Sequence, residues 1–440
     1  MMDCIPEHWL ETEVRNAFTK NDIKNESLEE TNLLTLSYGS IKRKSINTAG
    51  GLLPASFDSY QILNKGMIVL RMLDLQNDKK SLRVGYVNEK GIITSAYIGL
   101  KAIIDSNTKY YYYLLHFMDL IKHFYNAGGG VRQSLGYTDF RREKIIIPPK
   151  PEQTAIANFL DYKLEKIARF IKNKKQLVSL LKEQKAAIIN QAVTKGINPN
   201  AKLKPSGIEW LGNIPEHWEV KRIKYLGAAI IGLTYSPTEL VKKGEGTLVL
   251  RSSNVQNGKL TYDDCVYVTT PIPEKKRTRK GDILICSRNG SIKLIGKNAL
   301  IDEKASNESF GAFMTIFRSK NYEYLHYFFN SSSFKAQSGL FSTSTINQLT
   351  TGILNNIIIS IPKTIDEQIE VVNFIKSETE IIEKTISTIE KEIGLVEEYK
   401  TALIAEAVTG KIDVRDFKTP ELEMPLSMVA EETAAYNKTS

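Results

Sequence analysis

Cysteine and long apolar runs are both scarce in this sequence. Only three cysteines occur among its 440 residues, Cys4, Cys265 and Cys286. Three scattered thiols fit neither a disulfide framework nor paired zinc ligands. No stretch approaches the roughly 20 apolar residues that a membrane-spanning helix needs, and the N-terminal MMDCIPEHWL lacks the apolar core of a signal peptide. These absences predict a cytoplasmic protein without membrane association.

Catalytic motifs are missing as well. The five histidines show neither HExxH nor Cys/His metal-ligand spacing. No Asn/Asp-Pro-Pro-aromatic tetrapeptide is present to hold an adenine amino group for methyl transfer, because Pro148-Pro149 is flanked by Ile147 and Lys150. The sequence therefore predicts a non-catalytic chain that carries no metal and no cofactor of its own.

What the sequence does contain is an internal repeat. The pentapeptide IPEHW occurs at residues 5–9 and again at 214–218. Residues 152–194 align without gaps to residues 367–409, with 15 identities in 43 positions. A repeat this long is far outside the period of about 20–50 residues that solenoid proteins show. The chain is therefore a tandem duplication, and the proline and tryptophan of IPEHW favour a structural joint over a ligand-binding role.

Each repeat ends in a segment with the pattern of one long helix. In the second copy apolar residues recur with 4-3 spacing from Ile382 to Ala407, interrupted by Lys400. The first copy keeps this register from Ile167 to Ala192, and Lys174 and Lys185 are its polar exceptions. This spacing is that of a coiled-coil seam. The alternative is a pair of unrelated amphipathic helices, each packed on its own domain.

The charges of the two helices differ in sign. Residues 151–195 carry nine Lys/Arg and four acids, whereas residues 363–409 carry five Lys and eleven acids. Opposite net charge favours pairing of the two helices with each other over self-pairing of either. We therefore expect an antiparallel pair within one chain.

The sequence thus predicts an α+β protein of two similar halves. The expected segments are a mixed domain at 1–150, a long helix at 151–196, a linker at 197–213, a second mixed domain at 214–362, a second long helix at 363–411 and a flexible tail at 412–440. A shorter helix is expected in each domain, around 109–125 and 322–334.

Positive charge is concentrated in the second domain. Residues 221–300 contain fifteen Lys/Arg and six acids, so this window alone accounts for a charge of +9. A local excess of this size indicates a surface that faces a polyanion, most commonly nucleic acid. The alternative is an ordinary solvated basic surface.

The order of these features resembles the type I restriction-modification specificity subunits. The shared features are IPEHW at the start of each half, a Glu-Gln pair after Ile-Pro, and helices ending in AAIINQAVTKG and ALIAEAVTGKI. The segment GDILICSRNGS at 281–291 is similar to that family's target-recognition domains. The first half has Gly66-Met67 and Val84-Gly85 instead, which suggests a different recognition class.

This resemblance implies two target-recognition domains, held apart by two long antiparallel helices, that bind a bipartite site in double-stranded DNA. It implies docking of two methyltransferase subunits and of restriction motor subunits. S-adenosylmethionine, ATP and Mg²⁺ would be used by those partners and not by this chain.

Candidate DNA-binding residues follow from residue type, because Arg, Lys, Asn and Gln supply most base-edge and phosphate contacts. In the first domain they are Lys42, Arg43, Arg71, Lys79, Lys80, Arg83, Arg132 and Gln133. In the second they are Arg251, Ser252, Asn254, Lys275, Lys276, Arg277, Arg279, Lys280, Arg288, Asn289 and Lys293.

Two other functions are compatible with the sequence. One is a coiled-coil adaptor or regulator that binds DNA independently of any modification complex. The other is an enzyme with an unrecognised site. Association with a methyltransferase that carries the Asn-Pro-Pro-aromatic motif distinguishes the specificity subunit from the free adaptor.

Overall fold

The computed structural model describes residues 5–46, 54–75, 82–126, 134–339 and 348–419. The chain divides into two compact units. The first contains the described residues up to Lys174 and those from Lys391 onward, and the second contains Lys175–Glu390. Both units mix helix and sheet. Most of the tail expected at 412–440 lies outside the described residues.

The first unit contains ten strands, two short helices, two 3₁₀ turns and parts of the long helices. The strands are β1 (Leu10–Glu13), β2 (Phe18–Lys20), β3 (Leu34–Ser37), β4 (Ser40–Arg43), β5 (Gln61–Leu63), β6 (Ile68–Leu70), β7 (Val84–Tyr86), β8 (Gly91–Ile93), β9 (Ile98–Ala102) and β10 (Lys144–Ile147). The helices are α1 (Thr108–Leu120), α2 (Tyr137–Phe140) and the long α3 (Lys150–Lys195), which continues into the second unit, and the 3₁₀ turns are Val14–Asn16 and His123–Asn126.

Fourteen strands and several short helices form the second unit. The strands are β11 (Leu203–Pro205), β12 (Asn213–Pro215), β13 (Glu219–Arg222), β14 (Ala228–Ile231), β15 (Leu240–Val241), β16 (Thr247–Leu250), β17 (Val255–Gln256), β18 (Lys259–Leu260), β19 (Val266–Val268), β20 (Ile283–Cys286), β21 (Asn298–Leu300), β22 (Ser309–Phe310), β23 (Met314–Arg318) and β24 (Ile358–Ile361). The helices are α4 (Tyr322–Phe329), α5 (Ser332–Gly339), α6 (Thr351–Asn356) and the long α7 (Ile365–Val408), which also contributes to the first unit, and the 3₁₀ turns are Ile223–Tyr225, Pro237–Glu239, Ser252–Asn254, Glu274–Lys276 and Ile292–Leu294.

Each unit contains its own central four-stranded sheet, and the two sheets have the same arrangement of strands. Its strand order is β2-β9-β6-β7 in the first unit and β14-β23-β20-β21 in the second, with every neighbouring pair antiparallel. A second shared element is the ribbon that precedes each long helix, β1 with β10 and β13 with β24. The remaining strands differ, because β3-β4 and β5-β8 are separate pairs whereas β15-β19-β16-β22 is one sheet. The duplication is thus preserved in the sheet core and lost in the strands around it.

Each unit has its own apolar core. In the first unit buried residues such as Phe18, Ile68 and Tyr110 pack with Leu403 and Ile404 of α7. In the second unit Ile283 and Phe317 belong to a core that includes residues of both long helices. Side chains of this size stabilise the fold by roughly 1.5–3 kcal/mol each when fully buried.

The helix expected at 109–125 is shorter in the structure. It begins at Thr108, where the side chain of Asn107 accepts a hydrogen bond from the backbone N–H of Lys109, and it ends at Leu120. Lys122 has a φ of 61°. A non-glycine residue in this left-handed conformation cannot continue a right-handed helix, so the chain turns there. Among the described residues, no helix is both long enough and apolar enough to cross a membrane.

Seam positions of the long helices are shielded from solvent. Ile382, Ile386 and Ile389 are buried in the second unit. In that unit Lys182 Nζ lies 3.4 Å from Glu390 Oε1, and Lys185 Nζ lies 2.6 Å from Glu383 Oε1. In the first unit Lys174 Nζ lies 2.8 Å from Glu392 Oε2. The lysines that interrupt the apolar seam of α3 therefore have carboxylate partners on α7 within their own units.

The IPEHW pentapeptide forms a joint with the start of a long helix in each unit. In the first unit the indole Nε1 of Trp9 donates to Glu152 Oε2 at 2.9 Å, and His8 Nε2 lies 2.8 Å from Glu152 Oε1. In the second unit Trp218 Nε1 donates to Glu367 Oε1 at 2.7 Å, and His217 Nε2 lies 2.8 Å from the same oxygen.

Further contacts repeat next to these joints. The side-chain amides of Gln153 and Gln368 donate to the carbonyl oxygens of Pro148 and Pro362, at 2.8 and 3.0 Å. The hydroxyl of Tyr110 donates to the carbonyl oxygen of Val408 in the first unit, and that of Tyr324 donates to the carbonyl oxygen of Val193 in the second, both at 3.1 Å. In each unit the glutamate of the Glu-Gln pair therefore binds the pentapeptide, and the glutamine binds the segment that leads into the long helix.

Candidate nucleic-acid interface

The ends of several strands meet at one edge of the second domain. Strands β14 and β20 both run antiparallel to β23, so their carboxyl ends lie at the same edge of the sheet. Strand β16 ends at Leu250 and is followed directly by Arg251. Loops that leave strand ends are free of the ladder hydrogen bonds and commonly carry binding residues on a rigid support.

These loops line a cleft of about 1170 Å³. Four of the residues predicted to bind DNA lie in its wall, namely Arg251, Ser252, Arg288 and Asn289. They come from two loops that are 37 residues apart in sequence and are joined by a hydrogen bond from Asn289 Nδ2 to Ser252 Oγ at 3.2 Å. Lys293 lines a neighbouring cavity of about 470 Å³ together with Lys297.

Arg251 is held at the floor of its loop by two neighbours. Its Nη2 lies 2.8 Å from Asp264 Oδ2, and its backbone N–H donates to Asn254 Oδ1 at 2.8 Å. Within the described part of the chain, its buried Nε has no hydrogen-bond partner. The guanidinium is therefore anchored on one side by Asp264, while the side chain stays 37% exposed and lines the cleft.

Arg288 is stacked on an exposed aromatic ring. Its guanidinium carbon lies 5.1 Å from the centre of the Phe313 ring, and Phe313 is 58% exposed. The carbonyl oxygen of Phe313 accepts the backbone N–H of both Ser287 and Arg288 at 3.0 Å. A guanidinium over a ring keeps its in-plane donors available, so Arg288 can still bind a base edge or a phosphate.

Asn254 requires a correction. It is fully buried, and its side-chain amide donates to the carbonyl oxygens of Thr261 and Asp264 at 3.1 and 3.0 Å. The prediction that Asn254 binds DNA is therefore wrong for this fold. Its amide instead closes the loop that carries Arg251, because buried backbone carbonyls need donors.

The basic cluster at 275–280 divides into exposed and tethered side chains. Lys275 is exposed. Lys276 Nζ donates to the carbonyl oxygen of Gly232 at 2.8 Å, and Arg277 Nη1 donates to that of Asn307 at 2.9 Å. Lys280 Nζ lies 3.0 Å from Glu303 Oε2, and this hydrogen bond raises the pKa of Lys280.

Arg279 is less firmly held, with Nη2 3.8 Å from Glu274 Oε1. Lys275 and Arg279 are therefore the members of the cluster with the most freedom to meet a phosphate. All five residues of the cluster stay predictions as DNA contacts.

In the first domain the predicted residues are less concentrated. Lys42 is exposed, and Arg43 Nε donates to Glu89 Oε1 at 2.8 Å. That hydrogen bond raises the pKa of Arg43. Arg71 is half-buried after β6. Lys79, Lys80, Arg132 and Gln133 lie outside the described residues.

Arg83 is the second correction. Its side chain is completely buried. The guanidinium donates to the carbonyl oxygens of Arg71, Leu73 and Asp74 at 3.2, 2.7 and 3.0 Å. Arg83 therefore binds the loop that follows β6 and cannot reach DNA in this fold, so its prediction as a DNA contact is wrong.

Comparison with known proteins decides the family. The model of the type I restriction modification DNA specificity domain matches residues 12–180 and again residues 215–393. The two matches cover more than half of the chain and coincide with the two repeats. The chain belongs to the type I restriction-modification specificity subunits.

Two bacterial relatives agree with this assignment. The chain is 25% identical over 209 residues to the type I restriction enzyme StySPI specificity subunit of Salmonella potsdam, with 46% of this chain and 44% of that protein covered. The EcoKI specificity subunit of Escherichia coli K12 is likewise 25% identical over 208 residues, with 46% of this chain and 44% of that protein covered. The chain thus matches somewhat less than half the length of each of these two relatives.

One further relative and one solved structure match a larger part of the chain. The putative MjaX specificity subunit of Methanocaldococcus jannaschii is 27% identical over 322 residues, which cover 69% of this chain and 68% of that protein. A solved chain from work on complex assembly and conformational transition of the type I R-M system matches with a TM-score of 0.67 and 13% identity. It covers 93% of this chain and 100% of the other, and it supports the fold alone.

The cleft of the specificity subunit also contains residues that the sequence did not single out. Asp264 is the partner of Arg251, and Phe313 supports Arg288. Asp264 had a weak signal, because it is one of few acids in a strongly basic window. Phe313 had none, since a single aromatic residue after Gly311-Ala312 is indistinguishable from a core residue.

Among the described residues of the specificity subunit, potential metal ligands are scattered and Cys286 is buried. Within the described ranges, no group of three or more His, Cys, Asp or Glu side chains is arranged to hold a metal ion. Burial raises the pKa of the Cys286 thiol, and a protonated buried thiol is a poor nucleophile. The residues that line the cleft supply hydrogen-bond donors, hydrogen-bond acceptors and positive charge, which sequence recognition of DNA uses.

Proposed function

We propose that this specificity subunit recognises a bipartite site in double-stranded DNA and is the non-catalytic member of a cytoplasmic modification and restriction complex. Two methyltransferase subunits, which use S-adenosylmethionine, and restriction motor subunits, which use ATP and Mg²⁺, dock on it. The observation that carries this proposal is the occurrence of the same four-stranded sheet in two units, each joined to the start of its own long helix.

The duplicated sheet supports a bipartite target for a geometric reason. A single domain of about 150 residues reads only a few base pairs, because its base-contacting surface is small. Two domains with the same core and different outer strands supply two readers of different sequence.

An antiparallel helix pair is supported by the ion pairs in each unit. In the second unit the partner of Lys182 is Glu390 and that of Lys185 is Glu383, so the position on α7 falls as the position on α3 rises. The opposite net charges of the helices favour the same pairing. Spin labels at Lys163 and Glu398 test it: a short distance is expected, and a distance near the full helix length contradicts it.

Docking of other subunits is supported by exposed apolar residues on α7. Phe374 and Ile381 are 37% and 72% exposed and are seven residues apart, so they lie on one face of the helix. We expect Ile381→Lys to weaken binding of the methyltransferase subunits and to leave the recognised sequence unchanged. Ser387→Lys, which adds the same charge at an exposed polar position of α7, is the matched control.

Co-expression with the methyltransferase subunit tests the proposed function. The expected result is a stable complex whose methylated adenines lie in a two-part motif with a fixed gap. A stable homodimer that binds DNA and does not retain the methyltransferase supports the adaptor instead. Methylation by the isolated chain would contradict the non-catalytic role.

A further inference from the structure

The ion pair between Arg251 and Asp264 occupies a defined place in the second domain. Strands β16 and β19 are antiparallel, with Val249 opposite Val266. Continued by two residues, this register sets Arg251 opposite Asp264 at the edge where the cleft begins. The observed distance of 2.8 Å between Arg251 Nη2 and Asp264 Oδ2 agrees with that placement.

One buried amide fixes the backbone of both partners. Asn254 accepts the N–H of Arg251 at 2.8 Å and donates to the carbonyl oxygen of Asp264 at 3.0 Å. Asn254 is completely buried, so it has little freedom to release either residue. The pair therefore stands on a rigid support, which a precise contact to a ligand requires.

Structural stabilisation is a weak explanation for the pair. The side chains of Arg251 and Asp264 are 37% and 67% exposed, and ion pairs this exposed contribute little to folding stability. An acid is also unfavourable for phosphate binding, because it cancels the charge of the arginine it contacts. We therefore expect Asp264 to lower general affinity for DNA, because the other charged residues of the cleft wall, Arg251, Arg288 and Lys297, are basic.

A base-reading arginine explains both facts. Recognition of a guanine edge needs two donors of the guanidinium in one orientation, whereas a phosphate accepts many orientations. A carboxylate on the far side of the guanidinium supplies that orientation. The Arg251 side chain lines the cleft and is 37% exposed, and its ion pair with Asp264 uses one nitrogen, Nη2.

We propose that Asp264 is a positioning residue that orients Arg251 to read one guanine in the half-site bound by the second domain, at the expense of affinity for DNA of arbitrary sequence. This inference rests on the proposed function.

The test uses Asp264→Asn in the assembled complex with its methyltransferase subunits. The control is Asp263→Asn, which removes the same charge from the adjacent exposed residue. Competition binding is measured on the methylated site, on each single base-pair variant of it and on DNA of random sequence. Both variants are expected to bind random DNA more tightly, because each removes one negative charge.

Only Asp264→Asn is expected to lose discrimination, by about tenfold at one base pair of one half-site. Arg251→Ala should lose discrimination at the same base pair, and the other half-site should be unaffected in all variants. Asp264→Glu keeps the charge but moves the carboxylate, so it should show a partial loss at that base pair.

Equal behaviour of the two asparagine variants would show that Asp264 acts through charge alone and would overturn the inference. A collapse of thermal stability in Asp264→Asn would also overturn it, since it would assign the pair a structural role. Failure of the proposed function looks different, because the unaltered complex would then have no two-part site at all.

Discussion

Trp218 donates its indole N–H to Glu367 at 2.7 Å, although the two residues are 149 positions apart in sequence. The same carboxylate also contacts His217. We expect Glu367→Gln to lower the free energy of unfolding by about 1–2 kcal/mol, because hydrogen bonds to a charged acceptor are stronger than neutral ones. Equilibrium denaturation measures the change.

Glu370→Gln is the matched control for this joint, because Glu370 is exposed and lies one turn later on the same helix. Its effect should be close to zero. If the two variants lose the same stability, Glu367 contributes only as one more charge on the helix.

Each unit has an ion pair between a short helix and a long helix, and the positions of the lysine and the acid are exchanged between the two units. Lys109 Nζ lies 2.5 Å from Asp161 Oδ2 in the first unit, whereas Lys376 Nζ lies 2.7 Å from Glu323 Oε2 in the second. Asp161 also accepts a hydrogen bond from the hydroxyl of Tyr113 at 2.5 Å, whereas the hydrogen bond from the hydroxyl of Tyr322 to Glu323 is longer, at 3.4 Å.

Double-mutant cycles should therefore give a larger coupling energy for Lys109 and Asp161 than for Lys376 and Glu323. The second pair is exposed, so its coupling should be about 0.5 kcal/mol. Unfolding curves of the single and double alanine variants measure both values. A larger coupling energy for the pair in the second unit would contradict the contribution of Tyr113.

The sequence predicted local patterns, but it did not predict contacts between distant residues. The seam from Ile382 to Ile393 was readable because helix periodicity is a local property. The burial of Arg83 was not, since its partners are backbone carbonyls of a loop, which leave no trace in residue types. Asn254 was missed as a partner of Arg251 for the same reason, and Asp264 had only the weak signal of an acid in a basic window. The resemblance to the specificity subunits is confirmed, while the accessible DNA contacts stay predictions.

His116 makes the stability of the first unit depend on pH. Burial, with a smaller effect of Lys400, lowers its pKa from 6.5 to about 4. As the pH falls, His116 therefore binds a proton in the unfolded chain before it does so in the folded one. The contribution of neutral His116 to the free energy of unfolding is fully present above about pH 6.5 and declines as the pH falls toward 4. The decline is on the order of 3 kcal/mol for this shift.

His116→Leu should flatten this part of the profile, because it removes the titrating group from both states. Urea denaturation of both proteins between pH 7.5 and pH 4.5 measures the effect. An unchanged slope in the variant would show that other groups control acid stability.

Removal of the charge of Arg83 and removal of that of Lys42 should have different effects on the free energy of unfolding. Arg83→Met leaves three backbone carbonyls without their donor and should destabilise the first unit by about 3 kcal/mol. Lys42→Met changes an exposed side chain and should leave the unfolding free energy within about 0.5 kcal/mol.

If Lys42 contacts a phosphate, its loss should reduce the slope of log affinity against log salt by roughly one unit. Denaturation and salt titrations of the two variants separate the roles. A stable Arg83→Met protein with a reduced salt slope would contradict the structural assignment of Arg83.

Independence of the two recognition domains is tested most directly by exchanging residues 205–362 for the corresponding segment of a related specificity subunit. Both long helices and the first domain stay unchanged. The methylated sequence is then read across the genome of a strain that carries the hybrid complex. Because separated binding surfaces contribute additively, we predict that one half of the two-part site changes while the other half and the gap are retained. A change in both halves, or no change in either, would contradict the account.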